Sequence, residues 1–322
     1  MKYLPTPIDL YHGGKVAAVD LYINLSDRKF VRIVKKGQVF DDQRVENYVS
    51  HEITHLFITQ SDYIEHASSQ LELAEKIVQI AKIKKTESAR KVICQSLARS
   101  VQTIALELYE LEITPSAIER AKLICGYLAN GLDSEYEPSI IFELVNSIPH
   151  NLVKQSVAVS MIASILGHAL GWKNIENIKT LAFGGLVHDI GFRDLPPHLS
   201  SIPKEDMSIE EEMKYIQHPI LGASILKKIP GIAEEVIQIT QQHHELPNGT
   251  GFPNSLSKHQ IIPMAQIIFL ADQLCLLCTK SDKNPTPLTL MEAIRKVKIR
   301  YKELLPEMHW NALKKLKLAS SY

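Results

Sequence analysis

The stretch Leu186-Val187-His188-Asp189-Ile190-Gly191 constrains this chain more than any other. Leu181, Ala182, Phe183, Leu186 and Val187 have the spacing of one buried helix, and Gly191 is a natural stop. A charged carboxylate carried into such surroundings costs several kcal/mol, as an order of magnitude, unless something pairs with it. A metal ion is an apt partner, because imidazole and carboxylate are both common ligands and one carboxylate can bridge two cations. A hydrogen-bonded structural His–Asp pair explains the stretch equally well, so the decision passes to what else the chain supplies.

Four more groups stand where a metal site would need them. His218 precedes Pro219 at a helix start, so its side chain can project from a helix end. His243-His244-Glu245 closes an apolar helix and opens the glycine-rich loop Asn248-Gly249-Thr250-Gly251-Phe252-Pro253. Adjacent histidines diverge by about 100° on a helix, so both can serve one ion, or one can ligate while the other meets substrate. Asp272 lies in a wholly apolar helix, among Ile267, Ile268, Phe269, Leu270, Ala271 and Leu274. A structural, hydrogen-bonded aspartate remains the alternative there.

The framework around these groups is mainly α. From Ser139 onward every segment reads as helix: 140–147, 152–170, 178–187, 209–215, 220–228, 232–242, 263–278, 288–304 and a last one from Trp310. Residues 1 to about 65 differ: Val16–Leu25, Phe30–Val34 and Leu56–Thr59 look like strands, with a short helix over 41–50, which makes a small α/β module. Helices over 66–111 and 116–128 follow, with a break at Thr86-Glu87-Ser88. Pro115 is read as the stop of the first of these, and Asn130-Gly131 as the stop of the second. Cys94, Leu97, Val101, Ile104, Leu108 and Leu111 form a narrow seam that either packs on the chain's own core or pairs two copies in a homodimer. The division drawn from this is an N-terminal regulatory or partner module over 1–135 and a second domain over 136–322. His51-Glu52-Ile53-Thr54-His55 fits the pattern of zinc peptidases, but its second histidine runs into a strand, so the helix that motif needs is not expected.

Length and charge set outer bounds. The 322 residues suit two domains, and 36 Lys plus Arg balance 36 Asp plus Glu, which disfavours a surface built for a nucleic acid polymer or a membrane. Met1 to Leu10 lacks a signal-peptide layout, and no uninterrupted apolar run reaches bilayer length, so a cytoplasmic protein is expected. Cys94, Cys125, Cys275 and Cys278 sit in apolar contexts and read as buried small side chains in a reducing compartment.

In chain order, H-D-I-G at 188–191, H-P-I-L-G at 218–222, H-H-E at 243–245, N-G-T-G-F-P at 248–253 and A-D at 271–272 resemble the HD-GYP family, a subgroup of the HD phosphohydrolases. The resemblance covers the chain from about Ser139 to the C-terminus. It implies an all-helical HD-type domain, a centre of two or three metal ions, often iron or manganese, and hydrolysis of cyclic-di-GMP, a bacterial second messenger. By position His188, Asp189, His218, His243, His244 and Asp272 fall on the family's metal ligands, with Asp189 as the bridge and His188, Asp189 and His244 at the catalytic step. The implied reaction is attack on phosphorus by a hydroxide bridging the metals. The N-terminal module also looks like a small domain preceding the catalytic part in some members, which implies a signalling protein as its partner.

Departures from the family pattern fall mostly on substrate grips. Gln155 stands where a ligating histidine is usual and Asn151 where three-metal members carry Glu, so two ions are expected. Iron is favoured and manganese is the alternative; a His/Asp set leaves zinc and nickel open. Gln155 could still serve through its carbonyl oxygen, while His150, five residues earlier, lies on another helical face. Phe252 replaces the tyrosine of G-Y-P, and Phe192 replaces a lysine, leaving Arg193 beside it as a candidate substrate contact. Cys275 and Ser281 replace an Asp and a phosphate-gripping Arg, with Lys280 and Lys283 as candidate compensation. Gly249, Thr250 and Gly251 are expected to offer backbone N–H groups to phosphate. Two readings follow: an enzyme, a binuclear-metal phosphodiesterase acting on cyclic-di-GMP or a related phosphodiester, or a non-catalytic receptor of a cyclic dinucleotide or a protein that keeps the metal site.

Overall fold

The computed structural model describes residues 2–11, 13–26, 29–81, 86–282 and 284–319; Asp27, Arg28 and Lys283 lie outside them. The chain divides into two compact units, Met1–Leu73 and Ala74–Tyr322. The domain boundary expected at 135/136 remains a proposal; by compactness the chain divides earlier, after Leu73.

The first unit holds strands β1 (Tyr3–Pro7), β2 (Lys15–Val16), β3 (Leu21–Ser26), β4 (Lys29–Val34), β5 (Val39–Phe40) and β6 (His55–Thr59), with α1 (Asp42–Ser50) before the last. Antiparallel pairing gives a four-stranded sheet in the order β1-β6-β3-β4, and a two-stranded β2-β5 ribbon. Leu4, Leu21, Leu56 and Ile58 point inward and are buried, as a two-residue period requires. On the other face Tyr3 stacks on Phe30 at 4.1 Å, and Phe57 meets Phe30 edge-on. The single strand expected over 16–25 is instead two, because the Asp20 carboxylate accepts Lys36 N and Arg32 Nη1 and turns the chain between them. β1 went unread. The peptidase-like pattern has no helix under it: α1 ends at Ser50, Glu52 has φ 63°, and His55 begins β6.

α2 (Gln60–Ala81) leads to α3 (Glu87–Glu110), α4 (Pro115–Gly131), α5 (Pro138–Val145), α6 (Asn151–Ala169) and α7 (Ile175–Val187). Three 3-10 turns between 190 and 206 follow, then α8 (Ile209–Tyr215), α9 (His218–Lys227), α10 (Glu234–Gln242), α11 (Pro263–Cys278), α12 (Leu290–Tyr301) and α13 (Glu307–Ala319). Every helix read from the sequence is present. Pro115, expected as a stop, instead opens α4 under the Thr114 cap, since its missing N–H costs nothing at a helix start.

The core of the larger unit is built around α6, which packs on α3, α5, α7, α11 and α13. Its polar side chains find partners: Ser160 Oγ donates to Ala182 O at 2.7 Å, and Lys154 Nζ to Lys280 O at 2.7 Å. Helix α7 approaches so closely that a Cβ on Gly185 would lie 2.9 Å from Ser160 Cα. Among the described helices α6 alone is long and apolar enough to cross a bilayer, yet 89% of that window is buried inside the fold, as in a core helix. The Cys94–Leu111 seam is buried against the chain's own helices. All four cysteines are free and buried.

Two buried histidines make stability pH-dependent. Burial pushes His66 and His309 down to about 4, and His309 Nδ1 has no hydrogen-bond partner to welcome a proton. Unfolded histidine titrates near 6.5, so below that pH the unfolded chain binds more protons, and stability falls from pH 6.5 towards 4. Each group should cost up to about 3 kcal/mol by pH 4. Thermal midpoints across this range should show the decline, and His309→Leu should flatten it; a pH-independent midpoint would contradict the assignment.

Candidate metal centre

Two histidines stand at helix C-termini, His188 after α7 and His243 after α10, while His218 opens α9 three residues beyond the end of α8. The last carbonyls of a helix lack intrahelical partners. Each imidazole uses one, three residues back: Nδ1–H donates to Gly185 O (2.8 Å) from His188, to Tyr215 O (2.7 Å) from His218 and to Thr240 O (2.8 Å) from His243. The proton of the neutral ring is thereby fixed on Nδ1, and each Nε2 lone pair points inward, the arrangement a metal ligand needs. The C-terminal ends of α7 and α10, both negative, carry His188 and His243, which also favours a cation.

Asp189 sits at the focus. Its Oδ1 is 3.2 Å from His218 Nε2 and 3.5 Å from His243 Nε2, and its Oδ2 is 3.3 Å from His188 Nε2. Ligand atoms of Asp189, His218, His243 and His244 all lie within 4.8 Å of one another. Asp272, from the middle of α11, places Oδ1 3.6 Å from His188 Nε2. Gln155 on α6 donates Nε2–H to Asp272 Oδ1 (2.7 Å) and to Asp272 O (3.3 Å). The seven residues named from the sequence as metal ligands therefore meet in one place, although Gln155 turns its amide NH2, not its carbonyl, to the cluster.

The donor set fits a cation. The Nε2 atoms of His218 and His243 face each other at 3.2 Å with both Nδ1 protons committed elsewhere, so two lone pairs oppose unless a cation intervenes. His188 Nε2 is buried and makes no well-aligned hydrogen bond to the described residues, with Asp189 Oδ2 3.3 Å away. Burial by itself would lower His188, but Asp189 and Asp272 outweigh it and lift it to about 10. Burial would raise Asp189, yet His188 and the surrounding imidazoles hold it well below the usual carboxylate range. Burial and the neighbouring histidines push His243 down and His244 much further down. Without metal, one proton on His188 thus does the neutralising that a divalent ion would do better.

A cavity of about 60 Å³ opens beside Asp189, His244 and Asp272, walled by Gln155, Phe192 and Tyr215 among others. Its rim carries Asn151, Ser200, Ser201 and Ser281. Tyr215 was missed by sequence reasoning; its only signal was a position one turn before His218. Its ring lies 5.2 Å from His218 and 6.0 Å from Phe252, and Phe252 stacks on His244 at 4.4 Å. Glu245 fixes that loop by accepting Asn254 N (2.6 Å) and Leu256 N (2.8 Å).

The substrate contacts expected from the sequence are placed differently. Arg193 donates to Leu108 O and to Leu111 O (2.6 Å), satisfying the C-terminal carbonyls of α3. Gly249 N donates to Leu246 O and Thr250 N to Asn248 Oδ1, inside the loop itself. Gly251 is packed so tightly that a Cβ would lie 2.5 Å from Glu245 Cα. Lys280 is exposed and tied through its backbone to Asn146 and Lys154. None of these five lines the cavity.

Residues 139–303 match the HD domain family. Three relatives are cyclic di-GMP phosphodiesterases by name. The Thermotoga maritima protein is 24% identical over 173 residues, 51% of this chain and 46% of that one. PA4108 of Pseudomonas aeruginosa is 28% identical over 95 residues (30% and 23%), and PdeB of Borreliella burgdorferi 27% over 114 (35% and 29%). The matches span less than half the length of each relative. Bd1817, an HDG"Y"P protein from Bdellovibrio bacteriovorus, superposes over 100% of both chains with a TM-score of 0.70 at 20% identity, a likeness of fold.

Proposed function

This chain belongs to the HD-domain family, and we propose that it is a metal-dependent phosphodiesterase acting on cyclic-di-GMP or a related phosphodiester in bacterial signalling. The observation that carries the reading is the convergence of three tautomer-fixed imidazoles and His244 on Asp189, beside a cavity that can admit phosphoryl oxygens. His188, Asp189, His218, His243, His244 and Asp272 would hold two ions, iron or manganese first among the candidates. Bound there, the ions would supply Lewis acidity to activate water and neutralise phosphate charge. Asp189 reaches His188 with one oxygen and His218 and His243 with the other, which suits it to orient both halves of the centre. His244, kept neutral by burial and the neighbouring histidines, offers an unprotonated ring nitrogen to an ion at the cavity wall. Residues 1–135 are proposed as the partner or regulatory part, its half-buried aromatic cluster of Tyr3, Tyr22, Phe30 and Phe57 being the surface such a partner could use.

The test is turnover of cyclic-di-GMP and of an aryl phosphodiester by anaerobically purified, manganese- or iron-loaded protein. Product that disappears with a chelator supports the enzyme. A receptor is the second reading, favoured by the absence of Lys or Arg among the described residues lining the cavity, where a catalyst would use a cation to neutralise charge developing on phosphate. Tight dinucleotide binding without product would establish it.

Tyr215 gives a sharper check. Its buried phenol, pushed up by burial and by Asp189 and Asp272, stays protonated and can donate to a phosphate oxygen. Tyr215→Phe should lower kcat/KM by roughly 10- to 100-fold, the worth of one hydrogen bond to a charged group. Metal content should stay unchanged, because the backbone carbonyl that holds His218 is retained. Unaltered kinetics would remove the phenol from the reaction.

A further inference from the structure

The ligand groups at this centre fall into two unequal sets. Asp189, His218, His243 and His244 form a four-membered cage, every ligand atom within 4.8 Å of the others. The second set has His188 and Asp272, with Asp189 shared between the two. Its fourth place is taken by Gln155, which faces two acceptors at once, Asp272 Oδ1 at 2.7 Å and Asp272 O at 3.3 Å. Only the NH2 end of an amide can satisfy two acceptors, so the chemistry assigns the orientation and turns the carbonyl end away from Asp272.

Resting on the metal-dependent reading above, we propose that the centre takes up its two ions in unequal steps, with Gln155 a positioning residue that holds Asp272 and not a ligand. The cage of Asp189 and three imidazoles binds first and firmly. A second ion would find one imidazole, one private carboxylate and one shared carboxylate, one protein donor fewer than the cage, and would exchange more readily. Gln155 contributes by keeping the Asp272 carboxylate turned towards His188, across 117 residues of sequence. Metal dependence of any activity then follows the weaker step, so the protein is sensitive to free metal concentration in a range where its tighter ion never leaves.

The experiment is a calorimetric titration of the metal-stripped full chain with Mn(II), paired with elemental analysis after dialysis against a mild chelator. Two steps differing at least roughly 10-fold in Kd, and about one ion retained after dialysis, are expected; ligand-orienting changes at metal sites typically move affinity 10- to 100-fold. Gln155→His should tighten the second step and leave two ions retained, and Gln155→Leu should weaken the second step alone. The electron paramagnetic resonance spectrum at one equivalent should be that of isolated Mn(II), with coupling between ions appearing only at the second. Two indistinguishable steps in the unmodified protein, or loss of the first step in Gln155→Leu, overturns the proposal while leaving phosphodiester turnover to be judged separately. Failure to bind Mn(II) at all would instead remove the metal-dependent reading.

Discussion

Asp189→Ala should empty the centre and abolish turnover in the same stroke. Among the described residues no other group reaches His188, His218 and His243 together, each within 3.5 Å. Without it four imidazoles face one another with only Asp272 for counter-charge, and neutral rings alone hold divalent ions far less well than rings plus a shared carboxylate. The His188 imidazolium that stabilises the metal-free cluster also loses its nearer partner, and removing one member of a buried ion pair costs about 3–5 kcal/mol. Elemental analysis should find well under one ion per chain. Turnover of an aryl phosphodiester should fall at least about 1,000-fold, or about 4 kcal/mol in the barrier. Asp189→Asn should behave alike, since it keeps the shape and removes the charge. A variant that retains both ions and turns over would place the metals elsewhere.

The second large effect is expected at Gly191, outside the ligand set. A Cβ there would lie 2.6 Å from Gly222 N and 2.9 Å from His218 C, backbone atoms that cannot swing aside. The 3-10 turn after Asp189 and the start of α9 can touch only because Gly191 has no side chain, and that contact brings His218 to Asp189. Gly191→Ala should separate the two and cost several kcal/mol, in the upper part of the range for single substitutions. The measurement is a thermal midpoint lowered by many degrees, together with Mn(II) affinity at the cage weakened more than 10-fold. Gly126→Ala is the control, since its Cβ would meet only the flexible end of Lys179 at 3.5 Å. Equal tolerance of both would show that the close approach does not position His218.

Much of this could be read from residue order because it is local. The helix of 263–278 is bounded as its apolar run and its leading Pro263 indicate, and the hidden α6 follows from a long apolar stretch. The histidines were conspicuous because they sit at helix ends, where a side chain escapes the periodic face. β1 was lost because a five-residue strand with two prolines carries little alternation, and the 3-10 turns of 190–206 have no period to detect. The substrate side was the least legible. Arg193 looked available beside Phe192, but its guanidinium is drawn to the unsatisfied carbonyls of Leu108 and Leu111, more than eighty residues away in sequence.

By itself the sequence determined where the helices run, that the framework is mainly α, and which imidazole and carboxylate side chains are out of place among apolar neighbours. Those properties depend on near neighbours in the chain and on the cost of burying charge. Only the tertiary structure decided which nitrogen of each histidine faces inward, that Gln155 grips Asp272, that Tyr215 enters the cavity, and how little room stands beside the centre. These are set by packing between segments distant in sequence, where a displacement of one ångström changes a ligand into a bystander and no local pattern records the difference.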